Sequence, residues 1–246
     1  MRMIETWALT DVGLVRRDNQ DAYGVYNQDP CTVCVVCDGM GGVQGGALAS
    51  RIAVDTYLEI VCGEIRPNMS TFQIQKLSAR AVAEANDAIR RETEKDPFLC
   101  GMGTTLVAAI SCGENMAVVS NVGDSRAYHI TEEGIRRVTK DHSLVETLVD
   151  RGDITEEEAR SHPKRNYITR ALGPEPSTLC DGFVVPLEPG EYLLLCTDGL
   201  VSTVSDQEMY AEITGGGLDT CLDRLLAISK RNGAADNVTA VLLRKL

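Results

Sequence analysis

At 246 residues, 43% of them hydrophobic, the chain can bury a sizeable core within one two-sheet domain. Its 36 acidic residues against 24 basic ones leave a net charge of −12, which disfavours nucleic acid and anionic membrane surfaces as partners. No stretch approaches the ~18–20 consecutive apolar residues of a membrane span, and Met1–Thr10 has no apolar run behind its one arginine, so no membrane insertion and no signal peptide are expected and the cytoplasm is the expected compartment.

Three short strands are predicted first, over Met3–Leu9, Ala22–Tyr26 and Thr32–Cys37, followed by a glycine-rich turn, Gly39–Gly46. Two helices come next. Ala49, Ile52, Ala53, Thr56, Tyr57 and Ile60 share a face of the first, and Ile74, Leu77, Ala81, Ala85 and Ala88 a face of the second. Strands resume at Thr104–Ile110, Met116–Asn121 and Ala127–Ile130, the first two joined by a hairpin-like Ser111–Glu114. Residues 143–167 are polar and read as short helices plus loop. Strands Gly182–Pro186 and Glu191–Thr197, a helix over Asp219–Lys230 and a last strand over Asn237–Leu243 complete the chain. Strands outnumber helices, their neighbours are close enough for antiparallel hairpins, and the helices fall into two groups. That is the pattern of an α+β domain, a sheet sandwich flanked by helices, spanning residues 1–246 without a linker or a repeat.

Nine cysteines, an odd number, are scattered over the whole length, which argues against a disulfide framework and for a reducing compartment. Cys31, Cys34 and Cys37 have iron–sulfur spacing. They lie in a β-branched run, however, and a strand turns Cys34 away from the other two. They read as small buried hydrophobes. No cysteine begins a C-x5-R phosphate loop.

The chemistry is carried by aspartates at the ends of apolar strands. Thr32–Cys37 runs into Asp38-Gly39, Tyr192–Thr197 into Asp198-Gly199; Asp236-Asn237 opens the last strand, and Gly123-Asp124 lies between two more. One Asp-Gly is a turn signal, and Asp181-Gly182 reads as only that. Several carboxylates at the rim of a core need compensation, which a divalent cation supplies. The three histidines, His129, His142 and His162, have no ligand spacing to one another and none lies beside these strand-end aspartates. Oxygen ligands alone favour Mg²⁺ or Mn²⁺, and the glycine after Asp38 lets a main-chain carbonyl join them. Arg16 and Arg17 precede Asp18–Asp21, and beside such a centre a guanidinium fork suits phosphate.

Eight segments, in order, carry a resemblance: Thr10–Asp21, Val36–Gly42, Gly103–Thr105, Val122–Tyr128, Thr139–Ser143, Ile168–Gly173, Leu195–Leu200 and Asp236–Thr239. Together they resemble the metal-dependent protein phosphatase family, protein phosphatase 2C, in its compact bacterial stand-alone form. The resemblance implies a four-layer αββα fold and a binuclear centre of Mn²⁺ or Mg²⁺. In it Asp38 bridges both metals, the Gly39 carbonyl ligates one, Asp198 and Asp236 the other, and Asp124 with Asp198 a third, weaker one. Arg16 matches the phosphate-binding arginine, Asp21 an acidic residue supporting metal-bound water, and Asn237 a neighbour of the final ligand. The implied reaction is attack by a metal-activated water on phosphoserine or phosphothreonine of other proteins, opposing a serine/threonine kinase, by a monomer. Two positions depart from the family: Gln20 stands where many members have Glu, and Met40 where animal members have a histidine proposed as general acid. A phosphatase of a small metabolite and a non-catalytic metal-binding relative are the rival readings. Residues 144–167 are placed to form a flap beside the metals.

Overall fold

The computed structural model describes residues 3–113 and 115–246, with the backbone alone at residues 43 and 44. Met1, Arg2 and Glu114, which entered the expectations above, lie outside the described residues.

Two antiparallel sheets stack face to face. One holds β1 (Ile4–Asp11), β7 (Arg126–Thr131), β8 (Gly134–Arg137), β10 (Tyr192–Cys196) and β11 (Val238–Lys245) in the order β1-β11-β10-β7-β8. The other holds β2 (Asp21–Gln28), β3 (Cys31–Met40), β5 (Leu106–Cys112), β6 (Met116–Val122) and β9 (Asp181–Pro186) in the order β2-β3-β5-β6-β9, with the two-residue β4 (Gly103–Thr104) paired to the end of β3. Between the sheets, Cys34, Val36 and Val107 interdigitate with Leu193, Leu195 and Val241, all without solvent exposure. Each such aliphatic side chain removed from water contributes about 1.5–3 kcal/mol.

The outer faces are covered separately. α1 (Gly42–Glu64) and α2 (Thr71–Lys95) lay Ala49, Ala53, Tyr57, Ala81 and Ala85 on the β3–β5 face. α6 (Asp206–Thr214) and α7 (Cys221–Arg231) lay Met209, Ile213, Leu222 and Leu225 on the β10–β11 face. The four layers are those expected of an αββα domain. Strand periodicity is visible within one segment: Cys31 and Cys37 pack under the helices while Cys34 points between the sheets, so the three sulfurs cannot converge.

Several local expectations need correction. α1 begins at Gly42, inside the stretch read as a turn, because Gly41 at φ 118° takes the helix entry that a side chain would resist. β8 and α6 are additional elements. α6 is announced by a capping box, Ser205 with Glu208, that carries too little apolar periodicity to stand out. Asp181-Gly182 is no turn: Asp181 opens β9. Finally, Cys31 and Cys112 stand opposite each other on β3 and β5 and are joined as a disulfide, 81 residues apart in sequence. The β3–β5 register that pairs them is set by tertiary packing and cannot be read from cysteine spacing.

Candidate metal centre

Antiparallel pairing makes the strand ends meet. Asp21, the first residue of β2, lies opposite Asp38 near the end of β3. In the facing sheet the end of β10 lies beside the start of β11 and the start of β7, with Cys196 opposite both Ala240 and Arg126. The aspartates just beyond these ends, Asp198, Asp236 and Asp124, therefore gather at one end of the sandwich with Asp21 and Asp38. α3 (Leu144–Asp150) and α4 (Glu156–Ser161) belong to the polar 144–167 stretch. α5 (Asp198–Val201) starts at Asp198 itself.

Hydroxyls and backbone hold the carboxylates in place. The Asp38 amide donates to Thr105 Oγ1 (2.9 Å), which shares a hydrogen bond with Ser125 Oγ (2.7 Å), while the Asp38 carbonyl accepts from the Thr104 hydroxyl (2.8 Å). Asp21 Oδ2 accepts from Thr197 Oγ1 (2.9 Å). These threonines went unassigned in the sequence, although Gly103-Thr-Thr105 and the Thr197 before Asp198 lie inside the quoted motifs. Gly39 is required here because a Cβ would run into the Gly46 carbonyl and the Gln20 carbonyl.

Asn237 locks the approach loop: its Oδ1 accepts from the Gln20 amide (2.8 Å), and its Nδ2 donates to the carbonyls of Val12 (2.9 Å) and Asp18 (3.1 Å). The Gln20 side chain spends its own NH₂ on the Gly42 carbonyl at 2.7 Å, so this amide serves the α1 entry. Arg16 stands half-exposed on the same loop and donates through Nη2 to Asp236 Oδ2 at 2.7 Å. Its charge also acts on Asp38 and Asp198.

The electrostatics are those of a site short of positive charge. Burial, then the charges of Asp21, Asp198, Asp124 and Asp236, pushes the Asp38 carboxyl well above the carboxylate range. Burial, followed by Asp198, lifts Asp124 to about 8. Burial lifts Asp21 to about 7 even against hydrogen bonds from Thr239 and Thr197, and burial and then Asp236 raise Asp198, which a hydrogen bond with Asp38 partly offsets. One oxygen each of Asp21, Asp124 and Asp198 is buried without a hydrogen-bond partner. Such atoms are costly in a folded protein, and three in one cluster fit hard-cation ligands. Among the described residues no group of three or more His, Cys, Asp or Glu side chains is arranged to hold a metal ion as it stands, so this fit rests on donor chemistry and unmet oxygens. Arg126, held in a fork by Asp141 (2.7–3.1 Å), is a nearby cation whose charge lowers both Asp124 and Asp198.

His142 corrects the expectation that no histidine is near. Its Nδ1 lies 3.0 Å from the Gly123 amide, one residue before Asp124, and its Nε2 3.2 Å from Asp181. The approach is across 19 residues of sequence and has no spacing signal.

The model of the family described as protein phosphatase 2C matches residues 16–242 of this chain. The chain belongs to the protein phosphatase 2C family. It is 38% identical over 239 residues to the serine/threonine phosphatase stp of Listeria innocua, covering 96% of this chain and 94% of that one. It is 37% identical to the serine/threonine protein phosphatase PstP of Mycobacterium tuberculosis, covering 95% of this chain and 43% of that longer protein. Serine/threonine phosphatase Stp1 from Staphylococcus aureus superposes with a TM-score of 0.92 at 36% identity, over 99% of this chain and 96% of that one. The catalytic domain of PstP in complex with two manganese ions superposes at 0.85 and 32% identity, over 99% of both chains. This protein phosphatase 2C member is accordingly a metal-dependent serine/threonine protein phosphatase, a hydrolase of the bacterial type, with phosphorylated proteins as substrates. Among the described residues no helix is long and apolar enough to cross a membrane.

Proposed function

We propose that the aspartate cluster binds two divalent cations, Mn²⁺ or Mg²⁺, with Asp38 shared between them, the Gly39 carbonyl on one, and Asp198 and Asp236 on the other. Asp124 with Asp198 takes a third, weaker ion. The observation that carries this reading is the set of partnerless buried oxygens on Asp21, Asp124 and Asp198 within one mutually repelling cluster. When bound, such cations bring a coordinated water near neutral pKa and neutralise phosphoryl oxygens.

The remaining work falls to the chain itself. Asp21, anchored by Thr197, orients water at the floor of the site. Arg16, on a loop clamped by Asn237, turns its planar fork to the phosphate of a phosphoserine or phosphothreonine. Met40 carries no transferable proton, so the leaving oxygen takes its proton from another group or from solvent. The enzyme works as a cytoplasmic monomer that opposes a serine/threonine kinase.

The direct test is turnover of para-nitrophenyl phosphate after stripping with EDTA. Activity is expected to vanish, to return with Mn²⁺ and not with Ca²⁺, whose longer bonds and higher coordination spoil a shared carboxylate. Full activity in excess EDTA would sink the metal assignment.

Residues 144–167 are proposed as a substrate-facing flap. Their base is pinned where Leu144 N donates to the Tyr167 carbonyl (2.8 Å) and Ser143 bridges Ile168, while Glu156, Glu157, Lys164, Arg165 and Tyr167 remain exposed. Replacing Glu156, Glu157, Glu158, Lys164 and Arg165 by alanine is expected to leave para-nitrophenyl phosphate turnover within a few-fold and to re-rank kcat/KM among phosphopeptides of different flanking charge. Equal losses on the small substrate and every peptide would instead make the stretch a support of the fold.

A further inference from the structure

The turn that presents Asp124 is gripped by a residue outside the metal-ligand set. Gly123 sits at φ 106° and a Cβ there would press into the Thr105 side chain, the same threonine that holds the Asp38 amide. The Gly123 peptide groups are held from both sides by one residue: the His142 amide donates to the Gly123 carbonyl (2.9 Å), and the Gly123 amide donates to His142 Nδ1 (3.0 Å). Because Nδ1 accepts, the ring proton sits on Nε2, assigned from this network. Nε2–H then faces Asp181 Oδ2 (3.2 Å), and Arg170 Nη1 donates to Asp181 Oδ1 (2.9 Å). The 3.2 Å approach of Arg170 Nη1 to Nε2 joins two donors, so Arg170 acts on the ring through Asp181. His142 is 6% exposed, and its carbonyl accepts from Thr169 (2.7 Å) at the root of the 144–167 stretch.

We propose that His142 is a positioning residue for Asp124, its tautomer set by Asp181 and Arg170, so that this relay tunes the weak cation site and leaves the Asp38–Asp198–Asp236 sites alone. The proposal rests on the reading of Asp124 as a ligand of that weak site. Its physical basis is the usual one for outer partners of metal ligands: they fix ligand orientation, and losing one costs about 10–100-fold in metal affinity. Among the described residues the hydrogen bonds of His142, Asp181 and Arg170 reach none of Asp38, Asp198 and Asp236.

The test is calorimetric titration of Mn²⁺ into the EDTA-stripped full chain, alongside the Mn²⁺ dependence of para-nitrophenyl phosphate turnover. His142→Leu is expected to keep the tight sites and to weaken the weak site at least about tenfold. His142→Asn, whose Oδ1 can take over acceptance from Gly123, is expected to stay within a few-fold of wild type. If His142→Leu does not fold, Asp181→Ala and Arg170→Ala, each at a side chain 38% exposed, are expected to weaken the same site in the same direction. Wild-type weak-site affinity in folded His142→Leu, or in both surface variants, overturns the relay. So does loss of the tight sites together with the weak one. Asp124→Ala separates the two levels: a weak site lost in Asp124→Ala yet intact in His142→Leu overturns the relay alone, and a weak site that survives Asp124→Ala overturns the Asp124 assignment and the relay with it.

Discussion

Asp38→Asn is expected to cost roughly a thousandfold or more in turnover, the scale of losing a preorganised charge contact at a reacting centre, and at the same time to raise the melting temperature of the cation-free protein. Both effects come from one cause. Asp38 lies in the field of Asp21, Asp198, Asp124 and Asp236, and burial plus that field disfavours its charge. The amide keeps the shape, is neutral without having to take up a proton, and can donate a hydrogen bond to Asp198, the neighbour that already shares one with Asp38. The folded protein without cations then no longer bears the cost of a carboxyl in that field, while the protein with cations, on the proposed ligand set, loses the carboxylate shared between them. This is the trade expected where a site stores unfavourable electrostatics for function. Turnover of para-nitrophenyl phosphate at saturating Mn²⁺ and thermal melting in EDTA check it together. Near-wild-type turnover would remove Asp38 from the centre; a lower melting temperature in EDTA would mean that its neighbours do not repel it.

The second large effect is on stability and depends on pH. In the folded, cation-free protein Asp21 titrates at about 7 and Asp124 at about 8, against an ordinary value of 3.8. Well below the ordinary value of 3.8 these carboxyls are protonated in both folded and unfolded chains and cost nothing. As pH rises from there, the unfolded chain gives up their protons first, so the folded chain binds more protons and stability falls with rising pH until the folded-state values near 7 and 8 are passed. Cations reverse the loss by binding the charged carboxylates of the folded state only. At a hundredfold excess over Kd that linkage is worth about 2.7 kcal/mol, or roughly 5–10 °C in Tm for a domain of this size. Mn²⁺ is therefore expected to raise Tm by that amount at about pH 8 and by much less at about pH 5, where protons compete for the same oxygens. Melting curves with EDTA and with Mn²⁺ at both pH values measure it. A Mn²⁺ shift that is equal at the two pH values, or larger at the acid one, would contradict a cluster of raised carboxyls.

Amino-acid order alone carried the architecture and the site's cast. Apolar runs of strand length, two groups of amphipathic helices and aspartates at the run ends were enough to place Asp38, Asp124, Asp198 and Asp236 at the edges of a sandwich, because period-2 and period-3.6 patterns are local properties of the chain. The strand-end aspartates and the eight ordered motifs pointed to the chemistry, and the same motifs singled out Arg16, Gln20, Asp21 and Asn237 as candidates. Contacts between distant segments were not. The Cys31–Cys112 pairing follows from the β3–β5 register, which one residue of slip would undo. The start of α1 inside a glycine run depends on Gly41 and on the Gln20 side chain bonding to the Gly42 carbonyl. Asp181 looked like a turn residue until β9 brought it to His142 and Arg170, and His142 had no partner in sequence until the Gly123 turn folded onto it. Candidate ligands are written in side-chain type and spacing, whereas the orientation of those side chains is set by hydrogen bonds that exist only once the sheets have stacked.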